Sequence, residues 1–329
     1  MIPFEYRRAE DAATAVATVT DNRRASYLAG GTNLVDHMKL GITSPEVLID
    51  ISGLELDAVE ELPDGGVRLG AGARNSDVAA HPLVRARYPA LSQALLAGAS
   101  GQLRNLATVG GNLLQRTRCV YFQDVTTPCN KRSPGEGCSA LGGYTRYHAV
   151  LGASEHCIAV HPSDMAVALA ALDAVVRIRT VNGERTVPAV ELHRLPGEHP
   201  ERDTVLEHGE LITAVDLPPL PFARRSRYTK ARDRAAFAFA LVSVAAALDV
   251  HDGTVHDVRI AFGGLAHKPW RATAAERALR GTEATPEAFH DAAELELADA
   301  RPLHDNAFKI PLARSMLVSL LRELSQEDT

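Results

Sequence analysis

Tryptophan is almost missing from this chain, with one residue in 329, and aromatic residues together make up only 5%. Positive charge is not in excess either, since the net charge is −6. Without a basic stripe interleaved with aromatics, the sequence has no electrostatic footprint for nucleic acid. Long apolar runs are absent too. A membrane helix needs roughly 18–20 apolar residues, and the best stretch, Ala235 to Val250, is shorter and rich in alanine. Cysteine is scarce, at four residues. All four, Cys119, Cys129, Cys138 and Cys157, fall within one 39-residue window, which points to a shared purpose.

What is present is ordinary for a soluble globular protein: 46% hydrophobic and 23% charged residues. The length suits two or three modest domains. No repeat or low-complexity tract interrupts it. The first 55 or so residues read as an α/β unit. Ala9 to Val19 is helix-compatible, Tyr27-Leu28-Ala29 enters Gly30-Gly31, Asn33 to Leu40 looks helical, and Val47 to Ile51 reads as a buried strand. From Leu56 the pattern changes to hairpins. Ala58 to Glu61 and Val67 to Gly70 flank Pro63-Asp64-Gly65-Gly66, and Val175 to Val181 and Glu184 to Val187 flank Asn182-Gly183. Between them the sequence predicts a helix capped by Asn75 or Ser76, another over Leu91 to Ala97, and a third over Met165 to Leu172. Beyond Leu217-Pro218-Pro219-Leu220-Pro221, strands are predicted at Arg227 to Lys230, Phe237 to Leu248 and Val255 to Phe262. Helices follow at Ala272 to Arg280, Pro286 to Ala298 and Lys309 to Leu324. The expected class is α+β, with domains at 1–55, 56–222 and 223–329.

Two glycine pairs carry the first chemistry. In Leu28-Ala29-Gly30-Gly31-Thr32-Asn33-Leu34-Val35 an apolar strand ends in two glycines, and a polar pair opens a helix. Glycines let backbone N–H groups approach a phosphate closely, and a helix start adds unpaired donors and positive dipole. Ala107-Thr108-Val109-Gly110-Gly111-Asn112-Leu113 repeats the pattern. Each could be a simple tight turn. Together they would supply donors on two sides of a pyrophosphate.

The cysteines are separated by nine, eight and eighteen residues. Zinc fingers and ribbons use close Cys-x2–4-Cys pairs, and none occurs here. Four isolated thiolates on a long loop suit a cubane [4Fe-4S] cluster, in which each iron needs one cysteine. The surrounding sequence is loop-like, and Arg118, Lys131 and Arg132 would soften a cluster's negative charge. His148, His156 and His161 lie nearby, so a mixed Cys/His zinc site stays open at this point, as do incidental free thiols. Further on, Ser163 or Asp164 in His161-Pro162-Ser163-Asp164 would cap the next helix, or Asp164 would bond a ribose or adenine. Lys230 reads as a solvated charge at a strand end, or else as a flavin contact.

Ala29-Gly30-Gly31-Thr32-Asn33 with Thr108-Val109-Gly110-Gly111-Asn112, Ser163-Asp164 and Phe262-Gly263-Gly264 resembles the FAD-binding medium subunits of the xanthine dehydrogenase family. Gly101-Gln102-Leu103-Arg104-Asn105, Thr117-Arg118-Cys119, Pro128-Cys129-Asn130-Lys131-Arg132 and Gly263 to Arg271 narrow the likeness. They look like the FAD subunit of bacterial periplasmic-type aldehyde oxidoreductases, a subfamily with a [4Fe-4S] cluster in an insertion.

The resemblance implies a vanillyl-alcohol-oxidase-type fold: two FAD-binding subdomains and a C-terminal antiparallel-sheet-and-helix domain, with the cluster insertion at 113–162. It implies FAD held by Leu28 to Val35, by Thr108, Gly110, Gly111 and Asn112, and by Asp164, Ile212 and Lys230. Cys119, Cys129, Cys138 and Cys157 would ligate the cluster.

The implied role is electron transfer within a heterotrimer. A molybdopterin-binding large subunit would oxidise an aldehyde, a [2Fe-2S] small subunit would pass electrons on, and FAD would deliver them to an external acceptor. No acid/base pair for substrate oxidation is visible in this chain. Its N-terminus turns acidic at Ala9-Glu10-Asp11-Ala12, where a secretory signal would be apolar, so no export address of its own is expected. Periplasm by co-export with a signal-bearing partner and cytoplasm both stay open. Two rival readings remain, a self-contained flavin oxidoreductase of the same fold and a zinc-stabilised interaction subunit.

Overall fold

In the computed structural model, which describes residues 1–326, three sheets follow one another along the chain. The first has the order Glu5–Arg8, Val47–Asp50, Ala25–Leu28, all parallel. Parallel neighbours need crossovers, supplied here by the helices Ala12–Asp21 and Leu34–Lys39. Asp11 starts the first of these by accepting from the Thr14 N–H at 2.8 Å. Ala15, Val16 and Val19 are its buried face, and every residue of the central strand Val47–Asp50 is buried.

The second sheet is antiparallel, in the order Val59–Glu61, Val67–Gly70, Leu211–Leu217, Val175–Thr180, Gly183–Pro188. Its closing hairpin turns at Asn182-Gly183, and Gly183 sits at φ +130°, a conformation that suits glycine. Helices Asn75–Ala80, Pro82–Arg87 and Pro89–Ala97 contribute Val78, Val84 and Leu91 to the core that holds its Val67, Leu69 and Val176. The helix Asp164–Ala171 is buried at every position, which explains why its sequence lacks a polar face.

The third sheet has the order Trp270–Arg271, Thr254–Gly263, Val242–His251, Ser226–Ala231, also antiparallel. Strand alternation decides its two faces. Val244, Ala246 and Leu248 join Phe289, Leu317 and Leu321 of the C-terminal helices in one core. Ala245 and Ala261 point the other way, into the core that contains helix Asp164–Ala171, where small side chains permit close approach.

Two expectations are corrected. Residues 237–241 are not strand: the strand begins at Val242, and Phe237 has φ +51°. Phe237 and Phe239 are β-prone but exposed, so nothing packs them into a sheet. Neither Asn75 nor Ser76 caps a helix; Asn75 is already the first helical residue, after Arg74.

Candidate functional site

The two glycine loops meet. A Cβ on Gly30 would lie 2.0 Å from the carbonyl oxygen of Leu106, so only glycine allows the first loop to rest on the entrance to the second. Gly31, at φ +70°, completes the turn. Leu28 ends the strand, Leu34 and Val35 open the helix, and the Val35 N–H donates to the Gly31 carbonyl.

The donors are unevenly supplied. Among the described residues, no protein group accepts from the N–H of Gly31, Thr32 or Asn33, so this loop presents free donors as an anion cradle requires. In the second loop, the Gly110 N–H donates to the Ala71 carbonyl at 2.8 Å, and Thr108 Oγ1 accepts from the Gly111 N–H at 3.2 Å. Asn112 N–H is used on the Thr108 carbonyl, and the Asn112 Oδ1 accepts from Ser163 Oγ at 2.6 Å. The second loop therefore braces the site more than it supplies free backbone donors. An adjacent strand joins it: Ala71 N–H donates to the Thr213 carbonyl, beside Ile212, which is buried in the sheet core. The glycine geometry, free N–H groups and adjoining polar side chains fit a diphosphate.

Ser163 caps the following helix through the Ala166 N–H at 3.0 Å, leaving Asp164 free for another task. The Asp164 carboxylate takes hydrogen bonds from Lys230 Nζ at 2.7 Å and from the Tyr228 hydroxyl. The Lys230 and Asp164 side chains are only 4% and 7% exposed, so Lys230 is not a solvated strand-end charge. Burial raises the Asp164 pKa, and Lys230 and Tyr228 act against that shift. Lys230 Nζ also donates to the Ala97 carbonyl at 3.2 Å, tying this pair to the end of helix Pro89–Ala97.

All four cysteines line one small cavity of about 10 Å³, together with Phe122, Lys131 and Ile158. None is in a disulfide. Cys129 and Cys138 face each other across an isolated antiparallel bridge. Among the described residues, no three Cys, His, Asp or Glu side chains are arranged to hold a single metal ion. Burial pushes the Cys119 thiol up to about 12 and the Cys157 thiol up to about 11.

The basic and imidazole groups near the thiols divide. His148 Nε2 lies 3.2 Å from Cys119 Sγ, and His156 lines the cavity. His161 turns away, with its ring 4.1 Å from that of His193. Arg132 holds the loop by donating to the carbonyls of Tyr121, Phe122 and Thr127. Arg118 stacks over Phe239 at 5.2 Å.

Sequence reasoning missed Tyr228, Arg116 and Asp203. Their partners lie far away along the chain, and no local pattern marks them.

Residues 2–220 match the FAD binding domain in molybdopterin dehydrogenase, and residues 226–324 match the CO dehydrogenase flavoprotein C-terminal domain. The chain is 51% identical to the aldehyde oxidoreductase FAD-binding subunit of Escherichia coli, over 98% of each chain. It is 27% identical to the glyceraldehyde dehydrogenase medium chain of Sulfolobus acidocaldarius, over 92% of this chain and 90% of that one. Among solved structures, carbon monoxide dehydrogenase from Hydrogenophaga pseudoflava matches with TM-score 0.76 and 29% identity, covering 98% of both chains. Quinoline 2-oxidoreductase from Pseudomonas putida shares the fold at TM-score 0.76 and 22% identity, over 99% of this chain and 98% of that one. The chain belongs to the FAD-binding medium subunits of the xanthine dehydrogenase family of molybdenum hydroxylases.

Proposed function

We propose that this chain is the electron-relay subunit of a molybdenum-dependent aldehyde oxidoreductase and carries both FAD and a [4Fe-4S] cluster. Electrons reach it from the [2Fe-2S] clusters of a small partner subunit, after aldehyde oxidation on a molybdopterin-binding large subunit, and leave to an external acceptor. Bound FAD supplies the exchange between one-electron carriers and a two-electron acceptor. The residues of this chain hold and tune that group.

The N–H groups of Gly31, Thr32 and Asn33 bind the diphosphate, while Leu28, Ala29, Leu34 and Val35 shape the strand-to-helix turn around it. Thr108, Gly110, Gly111 and Asn112 close the other side. Asp164 and Lys230 form a buried charged end to the site, and Ile212 provides an apolar wall. Cys119, Cys129, Cys138 and Cys157 ligate the cluster, within an insertion spanning 113–162. The division into FAD-binding parts 1–55 and 56–222 and a C-terminal part 223–329 is supported by one sheet in each.

The observation that carries the reading of two cofactors is the placement of all four thiols around one void, in a chain whose glycine loops pack into a single cradle. Full-length 51% identity to an aldehyde oxidoreductase subunit supports the substrate class. The test is anaerobic purification of the chain with its partners, followed by absorption spectroscopy and flavin and iron analysis. Flavin bands, broad bleachable absorbance near about 400 nm and loss of iron in Cys129→Ser are expected. Protein with flavin but no iron would remove the cluster from the reading. Aldehyde oxidation by this chain alone would replace the relay with a self-contained oxidase.

A further inference from the structure

Between the first glycine loop and the thiol cavity lies a chain of polar contacts that neither site needs for its own chemistry. Arg116 is at its centre. Its backbone N–H donates to Asn33 Oδ1 at 3.0 Å, and Asn33 consequently makes no side-chain cap bond to its own helix. The Arg116 side chain donates through Nε to Asp203 Oδ2 at 2.6 Å and through Nη2 to the Lys131 carbonyl at 3.3 Å. Lys131 Nζ donates to the same Asp203 carboxylate and to the Pro200 carbonyl at 2.7 Å. Lys131 is two residues past Cys129, lines the thiol cavity, and has a side chain only 1% exposed.

A second path runs beside it. The Arg116 guanidinium lies 4.7 Å over the ring of Phe122, which is fully buried and also lines the thiol cavity. The same ring also meets His37 edge-on, 5.7 Å between centroids. His37 belongs to the helix opened by the first loop, and its Nε2 is 3.3 Å from Asn33 Nδ2. Both paths thus end on Asn33.

The charges explain why this bridge would respond to what fills the cavity. Asp203 is one carboxylate between two cations, so the trio carries a net positive charge next to four thiols. A cluster held by four cysteine thiolates would place negative charge on the Lys131 side. An anionic diphosphate at the Asn33 loop draws on the other side. Both anions favour the same ordered arrangement of the trio.

We infer that the Arg116–Asp203–Lys131 bridge couples the two sites, so that filling the thiol cavity fixes Asn33 and the first loop for flavin, and flavin in turn secures the cluster loop. Asp203 is a positioning residue in this scheme and touches neither cofactor site's ligands. The inference rests on the reading of the cavity as a cluster seat. Linkage makes the effect reciprocal: whatever factor iron contributes to FAD affinity, FAD contributes to cluster retention.

The test uses the full chain, purified anaerobically and compared with the same protein stripped of iron by chelator. FAD dissociation constants are measured by flavin fluorescence for both forms, and iron release to chelator is followed with and without FAD. In the unmodified protein the iron-loaded form should bind FAD about fivefold or more tightly, at the lower end of usual site-to-site couplings, and FAD should slow iron release. In Asp203→Asn the ratio should fall towards one while the iron-free form keeps its FAD affinity. Should Asp203→Asn not fold, the triple variant R116M/K131M/D203L replaces all three charged groups with apolar side chains, leaves the Arg116 backbone N–H in place for Asn33, and should give the same collapse. Protein that never binds iron overturns the cluster reading and the coupling with it. Iron bound with an FAD ratio of one, or a ratio unchanged in the variants, overturns the coupling alone.

Discussion

Gly30 and Leu106 are in backbone contact, with a Cβ on Gly30 placed 2.0 Å from the Leu106 carbonyl oxygen. The obstacle is main chain, so no side-chain rearrangement can relieve it. Gly30→Ala must push the first loop away from the second, at the roughly 1–3 kcal/mol typical of overpacking. That shift also moves the free N–H groups of Gly31, Thr32 and Asn33. FAD binding is expected to weaken at least about tenfold, which corresponds to about 1.4 kcal/mol, with the far-UV spectrum unchanged. Titration with FAD checks this, and unaltered affinity would take the loop contact out of the site.

Asp164 and Lys230 form a buried ion pair, and its two halves can be separated from flavin binding by mutation. Asp164→Ala leaves Lys230 charged and almost fully enclosed, a change that typically costs about 3–5 kcal/mol. The double variant D164L/K230M removes both charges and should recover most of that loss in urea denaturation. If the pair serves FAD, the double variant folds but binds FAD poorly. A double variant that keeps full flavin affinity would make the pair purely structural.

The parts of the fold that were legible in the sequence are those set by local pattern. Helix Lys309–Gln326 shows its apolar spacing, and the Asn182-Gly183 hairpin shows its turn residues. Phe237 and Phe239 misled because aromatic content suggests a strand, while strand formation there needed packing partners that the fold does not provide. The glycine loops were visible as motifs, but their unequal donor supply was not, because it depends on Ala71 and Ala73 carbonyls from another segment. The pairing of Lys230 with Asp164, 66 residues apart, and of Arg116 with Asp203, 87 apart, leaves no periodic trace. Side-chain networks of this kind exist only once the chain has closed on itself.

Cys119 and Cys157 should be sluggish nucleophiles in iron-free protein. Burial holds their thiols at about 12 and about 11, whereas an unperturbed cysteine lies near about 8.5. At pH 8 the thiolate fraction of each is at least about a hundredfold below that of a free thiol. Alkylation with iodoacetamide, followed residue by residue by mass spectrometry, should be slower at these two positions by that factor. Unfolded chain provides the reference rate. Labelling as fast as in the unfolded chain would mean that the cavity is open and the thiols are not held in it.

Acid should destabilise the fold through its enclosed imidazoles, of which His193 and His267 are two. His193 Nε2 lies 2.8 Å from the Leu113 carbonyl, and His267 Nδ1 lies 2.9 Å from that of Arg194. Their other ring nitrogens, His193 Nδ1 and His267 Nε2, are buried with no hydrogen-bond partner among the described residues. Burial lowers both pKa values to about 4 from 6.5. Between those limits the unfolded chain binds protons that the native state refuses, so stability rises with pH in that window and is lost as pH falls from 6.5 towards 4. Each histidine contributes a slope of about 1.4 kcal/mol per pH unit there. Urea midpoints measured at pH 7 and pH 5 should differ accordingly, and His193→Gln, which cannot titrate, should reduce the difference by about a fifth, because burial also holds His37, His148 and His161 below 6.5. A midpoint that stays level between pH 7 and pH 5 would show that these rings reach solvent, because only enclosure keeps them neutral.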